Sequence, residues 1–111
     1  SDDYYAQEIK FQDKIDAINN EKNLAITISH SITATEIKLM ADSSVLSNDF
    51  KGSIRFFRPS DSSKDIQLQM NFANNVQTIS TKQLIHGAYK LQLTWTNQKK
   101  NYFKEEVIFI N

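Results

Sequence analysis

The chain has 111 residues, of which 13 are basic and 13 acidic, giving a formal net charge of +0. That length suits one hydrophobic core and is short for two. The balanced charge argues against nucleic acid or an anionic membrane surface as the main partner, since both call for a basic excess. With no cysteine, disulfides, thiolate metal sites and cysteine nucleophiles are excluded.

Residues 3–22 read as a helix. Tyr4, Tyr5, Ile9, Phe11, Ile15 and Ile18 recur at spacings near three and four, with polar residues between them. Asp2 and Asp3 suit its N-cap or first turn, where carboxylates meet the helix dipole. Asn19, Asn20 and Asn23 are poor helix-interior residues and mark its end.

From Leu24 onward the apolar residues recur at every second position. Leu24, Ile26, Ile28 and His30 share one parity, and Ile37, Leu39 and Ala41 form the next inward set. Ser43–Asp49 is polar and reads as a loop. A strand over Gly52–Arg58 places Ile54 and Phe56 on one face, Arg55 and Phe57 on the other, and ends at Pro59, which cannot donate to a ladder. Ser60–Asp65 is a turn by composition. Ile66, Leu68, Met70 and Phe72 alternate with polar residues, Asn74-Asn75 signals a turn, and Val76–Thr81 is a short strand.

Gly87–Trp95 has the cleanest alternation. Tyr89, Leu91, Leu93 and Trp95 line one side, and Lys90, Gln92 and Thr94 fill the other. Burying each of the four large side chains stabilises by ~1.5–3 kcal/mol. Asn97–Asn101 reads as a hairpin loop, and Tyr102–Ile110 closes the chain. Val107, Ile108, Phe109 and Ile110 are apolar at both parities, which implies cover on both faces, with the N-terminal helix as the second cover. About seven short strands at regular spacing mark a sandwich or barrel. Residues 1–23 are expected as the helix and 24–111 as the β-sandwich, folding as one unit.

Little in the sequence speaks for catalysis. His30 and His86 lie outside any known motif, and two glycines are too few for a phosphate-cradling loop. Copper would favour Met and His, so Met40, Met70, His30 and His86 are its candidates. Parity separates them: Met70 shares the inward series with Leu68 and Phe72, while Met40 falls on the outward one. Asp61 with Asp65, or Asp42 with Asp49, would be calcium candidates, but neither pair matches the spacing of a calcium loop. No cofactor, metal or catalytic residue is therefore expected. The best contact patch combines Arg55, Phe57 and Arg58, a composition enriched at interfaces; Tyr4 and Tyr5 on the helix stripe are further contact candidates.

Two stretches together resemble the FixH family. The first comprises Tyr4-Tyr5, Ile9-Lys10-Phe11-Gln12, Ile15-Asp16 and Asn19-Asn20. The second comprises Phe57-Arg58-Pro59-Ser60, then Gly87-x-Tyr89-x-Leu91-x-Leu93-x-Trp95 and Tyr102. The resemblance implies an all-β, immunoglobulin-like sandwich with an N-terminal amphipathic helix, preceded by a transmembrane anchor. It further implies a place on the periplasmic side of the cytoplasmic membrane. The implied role is a non-catalytic accessory in the assembly or stabilisation of cbb-type haem-copper cytochrome oxidases, with oxidase subunits or assembly factors as protein partners. The chain opens on Ser1 without a methionine, and reads as a piece trimmed from behind such an anchor. The competing expectation is a ligand- or glycan-binding module of the cell envelope, against which the inward parity of Trp95, the one tryptophan, counts.

Overall fold

The computed structural model describes residues 2–111, with side chains from residue 12 onward. The chain begins with helix α1 (Asp2–Lys22). The period-two stretches then form seven strands: β1 (Ser29–Ile32), β2 (Glu36–Met40), β3 (Lys51–Phe57), β4 (Ile66–Gln69), β5 (Val76–Ser80), β6 (Gly87–Asn97) and β7 (Lys100–Ile110). They make two antiparallel sheets, one ordered β1-β2-β5 and the other β4-β3-β6-β7. This three-on-four arrangement is an immunoglobulin-like sandwich.

The core lies between the inner faces. Tyr89, Leu91, Leu93 and Trp95 of β6 are each at most 1% exposed, as their alternation requires. Ile54 and Phe56 of β3 and Ile37 and Leu39 of β2 are fully buried among them. Trp95 stands opposite Tyr102 in the β6–β7 register, and the two rings stack with centroids 5.5 Å apart. Phe56 meets Tyr89 edge to face at 6.4 Å. The Tyr89 hydroxyl, near the start of β6, accepts a hydrogen bond from the Ile85 amide at 3.1 Å. This is a tyrosine corner, which locks the crossover between the sheets to the strand that follows it.

Several boundaries differ from the sequence reading. The first strand was expected from Leu24, yet the ladder begins at Ser29. Residues 24–28 are held from the side: Lys104 Nζ donates to the Ile28 carbonyl at 2.9 Å, and Ile26 is left 52% exposed. The strand expected to run from Ile66 to Phe72 ends at Gln69. Beyond it the Met70 amide still donates to the Gly52 carbonyl at 2.8 Å. The Asn71 amide turns away to Gln77 Oε1 at 2.7 Å, while Gln77 Nε2 donates to the Gln69 carbonyl at 3.1 Å. One side chain of β5 thus stitches the edge of its sheet to the end of β4.

The last hairpin is tighter than a five-residue loop. Asn97 and Lys100 are already paired, so the turn is Gln98-Lys99, with φ of 51° and 65°. Both residues are left-handed, as a type I′ turn demands, though neither is of the types that favour it. Asp49 compensates: its Oδ1 accepts from the Gln98 amide at 2.9 Å and its Oδ2 from the Lys99 amide at 3.0 Å.

Helix α1 packs on β7. Lys14 Nζ lies 4.7 Å from the centre of the Phe103 ring, Asn20 Nδ2 donates to the Asn101 carbonyl at 2.9 Å, and Ala17 is buried. At the far end of β7, where cover by the helix was expected, Val107 is 61% and Phe109 68% exposed; the first half of the helix, residues 2–11, has its side chains outside the described residues. Among the described residues, the helix and β7 also flank one shallow hollow, lined by Lys14, Ile18, Glu21 and Lys22 on one side and Phe103–Glu106 on the other. The capping roles expected of Asp2 and Asp3 concern side chains outside the described residues.

Candidate functional site

The two halves of the second sequence signature meet at one corner of the sandwich. β3 and β6 are neighbours, with Phe57 opposite Lys90, so the residues just past the end of β3 lie beside the start of β6. Arg58 has the inward parity of Ile54 and Phe56. Its guanidinium carbon sits 5.1 Å from the Tyr89 ring centre, a cation–π contact, and its Nη2 donates to the His86 carbonyl at 2.8 Å. Gly87 has a φ of +120°, and a Cβ there would lie 3.0 Å from Arg58 Nη2. The glycine is therefore needed twice, for its backbone angle and for the arginine above it.

Asp65 fixes the same corner. Its Oδ1 accepts from the Arg58 amide at 2.7 Å, and its Oδ2 forms an ion pair with Arg55 Nη2 at 2.7 Å. The Arg58 amide, and then the Arg55 guanidinium, hold the Asp65 carboxyl below its ordinary pKa. Arg55 in turn lies over Phe57, 4.9 Å from the ring centre. Arg55 and Phe57 thus share the outer face of the four-stranded sheet, whereas Arg58 closes the end of the core. Tyr4 and Tyr5 have side chains outside the described residues.

The outer face of that sheet is the candidate contact surface. The register sets Phe57, Lys90 and Val107 in one row, and Arg55, Gln92 and Glu105 in the next. Ala88 and Phe109 form the row beyond Val107. Gln92 Nε2 donates to Glu105 Oε2 at 2.8 Å, which makes a polar border. The result is an exposed apolar pair, Val107 and Phe109, on β7, separated by Lys90 from Phe57, which lies under Arg55, with Glu105 on the next row. Val107 and Phe109 were not singled out as contact residues in the sequence. The signal was there, in a closing strand apolar at both parities, but it does not say whether the second face meets the chain itself or something else.

The remaining candidates are dispersed or engaged. His30 pairs with Leu39 and Met40 with Ser29, so His30 and Met40 project to opposite faces of the β1–β2 ladder. Among the described residues, no group of three or more His, Cys, Asp or Glu is placed to hold a metal ion. The four aspartates weighed for calcium accept hydrogen bonds that fix turns or strand ends. Asp42 caps the short turn Ser43–Val45 and takes the Ser44 amide at 2.9 Å. Asp61 caps Ser62–Lys64 and takes the Ser63 hydroxyl and amide at 2.6 and 3.0 Å. Hydrogen bonds of this kind stabilise the ionised form, and the carboxyls of Asp42, Asp49 and Asp61 are held below their ordinary pKa. Among the described residues, no helix is long and apolar enough to cross a membrane.

A three-on-four sandwich with a tyrosine corner and a helix docked on its last strand defines an immunoglobulin-like module. The FixH family matches residues 1–109, essentially the whole sequence, and the chain belongs to that family. Comparison with curated proteins finds no match, and comparison with solved structures finds none.

Proposed function

We propose that the chain is a non-catalytic accessory module acting on the periplasmic side of the cytoplasmic membrane, held there by an anchor upstream of Ser1. In this reading it assists the assembly or stabilisation of a haem-copper cytochrome oxidase through protein contacts. Membership of the FixH family supports the oxidase connection. The observation that carries contact as the mode of action is the exposure of Val107 and Phe109, at 61% and 68%, on the sheet face that also carries Lys90 and Phe57. Large apolar side chains grouped on a surface and rimmed by charge mark interaction sites. The partner surface that suits this face is apolar at its centre, with an acidic group to meet Lys90 and a basic one to meet Glu105.

The test uses the full-length, membrane-bound protein carrying an affinity tag, extracted in gentle detergent. Oxidase subunits are expected to come with the wild type and to be lost from a Val107→Lys, Phe109→Lys variant. The same pair of changes in the 111-residue chain should alter unfolding stability by no more than ~0.5 kcal/mol per site, as for other exposed positions. Recovery of no oxidase subunit with the wild type would overturn the oxidase reading. Equal recovery with wild type and variant would overturn the assignment of the face.

A further inference from the structure

The direction of α1 fixes which end of the sandwich the incoming chain reaches first. Just past the helix, Leu24 and Ala25 border the same hollow as Asn97 and Tyr102, and Asn20 is bonded to the Asn101 carbonyl, so the helix finishes beside the β6–β7 turn. Lys14 lies farther along, over Phe103. Followed back towards its start, α1 therefore climbs β7. A helix rises ~1.5 Å per residue and a strand ~3.3 Å, so α1 from Asn20 back to Asp2 and β7 from Asn101 to Ile110 each climb about 30 Å. The helix thus starts level with the end of the sandwich where β7 finishes and β6 begins.

That end is a fixed platform with apolar residues on it. Ile32 pairs with Ile37 in the last row of the β1–β2 ladder. The turn that follows is tied to the β5–β6 crossover by Thr81, whose amide donates to the Thr35 carbonyl and whose hydroxyl donates to the Ala34 carbonyl, both at 3.0 Å. Ile85 is held by its amide on the Tyr89 hydroxyl and by the bond from Arg58 to the neighbouring His86 carbonyl. A backbone held this way cannot turn these isoleucines inward, and Ile32 stays 39% and Ile85 42% exposed. Val107 and Phe109 fall within the last four residues of β7. Four of the five large hydrophobic residues exposed among the described residues therefore gather at or near this end, and Ile26 alone lies at the other.

We propose that this end of the sandwich rests on a lipid surface, with Ile32 and Ile85 at the boundary between headgroups and acyl chains. The inference rests on the anchor of the proposed function, which brings the bilayer to the start of α1. A tether supplies local concentration without any new contact, so the balanced charge of the chain is no obstacle and the lipid need carry no net charge. Val107 and Phe109 then stand just above the bilayer, at the height where a partner embedded in the same membrane emerges.

The chain has no cysteine, so single introduced cysteines can each carry a fluorophore. The full-length protein is placed in phosphatidylcholine vesicles that include a phosphatidylcholine bearing a nitroxide on its headgroup, a short-range quencher. Labels at Ala34→Cys and Gln83→Cys, both exposed at this end, are expected to lose most of their fluorescence relative to vesicles without nitroxide. A label at Gln98→Cys, in the turn about 30 Å away, should keep its fluorescence. Changing Ile32→Ser and Ile85→Ser together should restore much of the signal at positions 34 and 83, with the emission of buried Trp95 showing that the fold is kept. Equal quenching at all three positions, or the strongest at position 98, would overturn the orientation. Undiminished quenching in the Ile32→Ser, Ile85→Ser protein would refute lipid contact by the two isoleucines. Release of the full-length protein from the vesicles by alkaline carbonate would overturn the anchor and the orientation together, whereas retention with equal quenching overturns the orientation alone.

Discussion

A Cβ at position 87 would lie 3.0 Å from one guanidinium nitrogen of Arg58 and 3.2 Å from the other, on a backbone with φ of +120°. Gly87→Ala is therefore expected to destabilise by ~1–3 kcal/mol, measured as a lowered urea midpoint with an unchanged slope. In an Arg58→Ala background the same change should cost less, because the steric part is relieved and the backbone part remains. Strict additivity of the two would show that the contact is slack. This corner also explains why its residues could be noticed in the sequence but not understood. Phe57-Arg58-Pro59 and Gly87-x-Tyr89 are far apart in the chain, and no local pattern states that Arg58 reaches the His86 carbonyl and the Tyr89 ring. Parity placed Phe57 and Arg55 on the outer face, and the register agrees. Arg58 follows the same alternation inward, but a charged residue at a strand end invites the opposite reading.

At the level of elements, β6 was the most legible because its period-two pattern is uninterrupted and both neighbours in its sheet bury against it. The β6–β7 turn was the least legible. A two-residue turn with both residues left-handed is ordinarily signalled by Asn-Gly or Asp-Gly, and here it is Gln98-Lys99. The information that makes it possible sits at Asp49, 49 residues upstream of Gln98. Lys99→Gly removes the left-handed strain while leaving the amide that Asp49 binds. It is expected to stabilise the protein by ~0.5–1 kcal/mol, read as a raised thermal midpoint; a drop would mean that the Lys99 side chain has a role beyond its backbone. The far end of β7 illustrates a different limit. An apolar second face demands cover, but that demand can be met by α1 or by another molecule, and the pattern alone does not choose; among the described residues, α1 meets β7 at Phe103 and Asn101.

Across the whole molecule, four of the turns and strand ends outside the ladders are held by carboxylates. Asp42, Asp49, Asp61 and Asp65 each fix a turn or a strand end, and all four have pKa values lowered from 3.8. A carboxyl with a lower pKa when folded than when unfolded contributes stability that is present above the unfolded value. It is lost as the pH falls through the folded value, because the unfolded chain takes up the proton more readily. The urea midpoint should therefore be level near neutrality and decline below about pH 4, and Asp65→Asn should show a shallower decline than the wild type; a midpoint unchanged down to pH 2.5 would contradict these assignments. The reliance on Asp49 also bears on the order of events during folding. A hairpin between adjacent long strands is normally the cheapest structure to close, since its ends are near in sequence. Here the turn lacks a residue pair that would bend unaided, and the group that steadies it arrives with the residues leading into β3. The turn of the longest pairing in the molecule thus depends on a residue far outside it, and Asp49→Ala should slow refolding as well as speed unfolding if that contact forms early; an unchanged refolding rate would place the contact after the rate-limiting step.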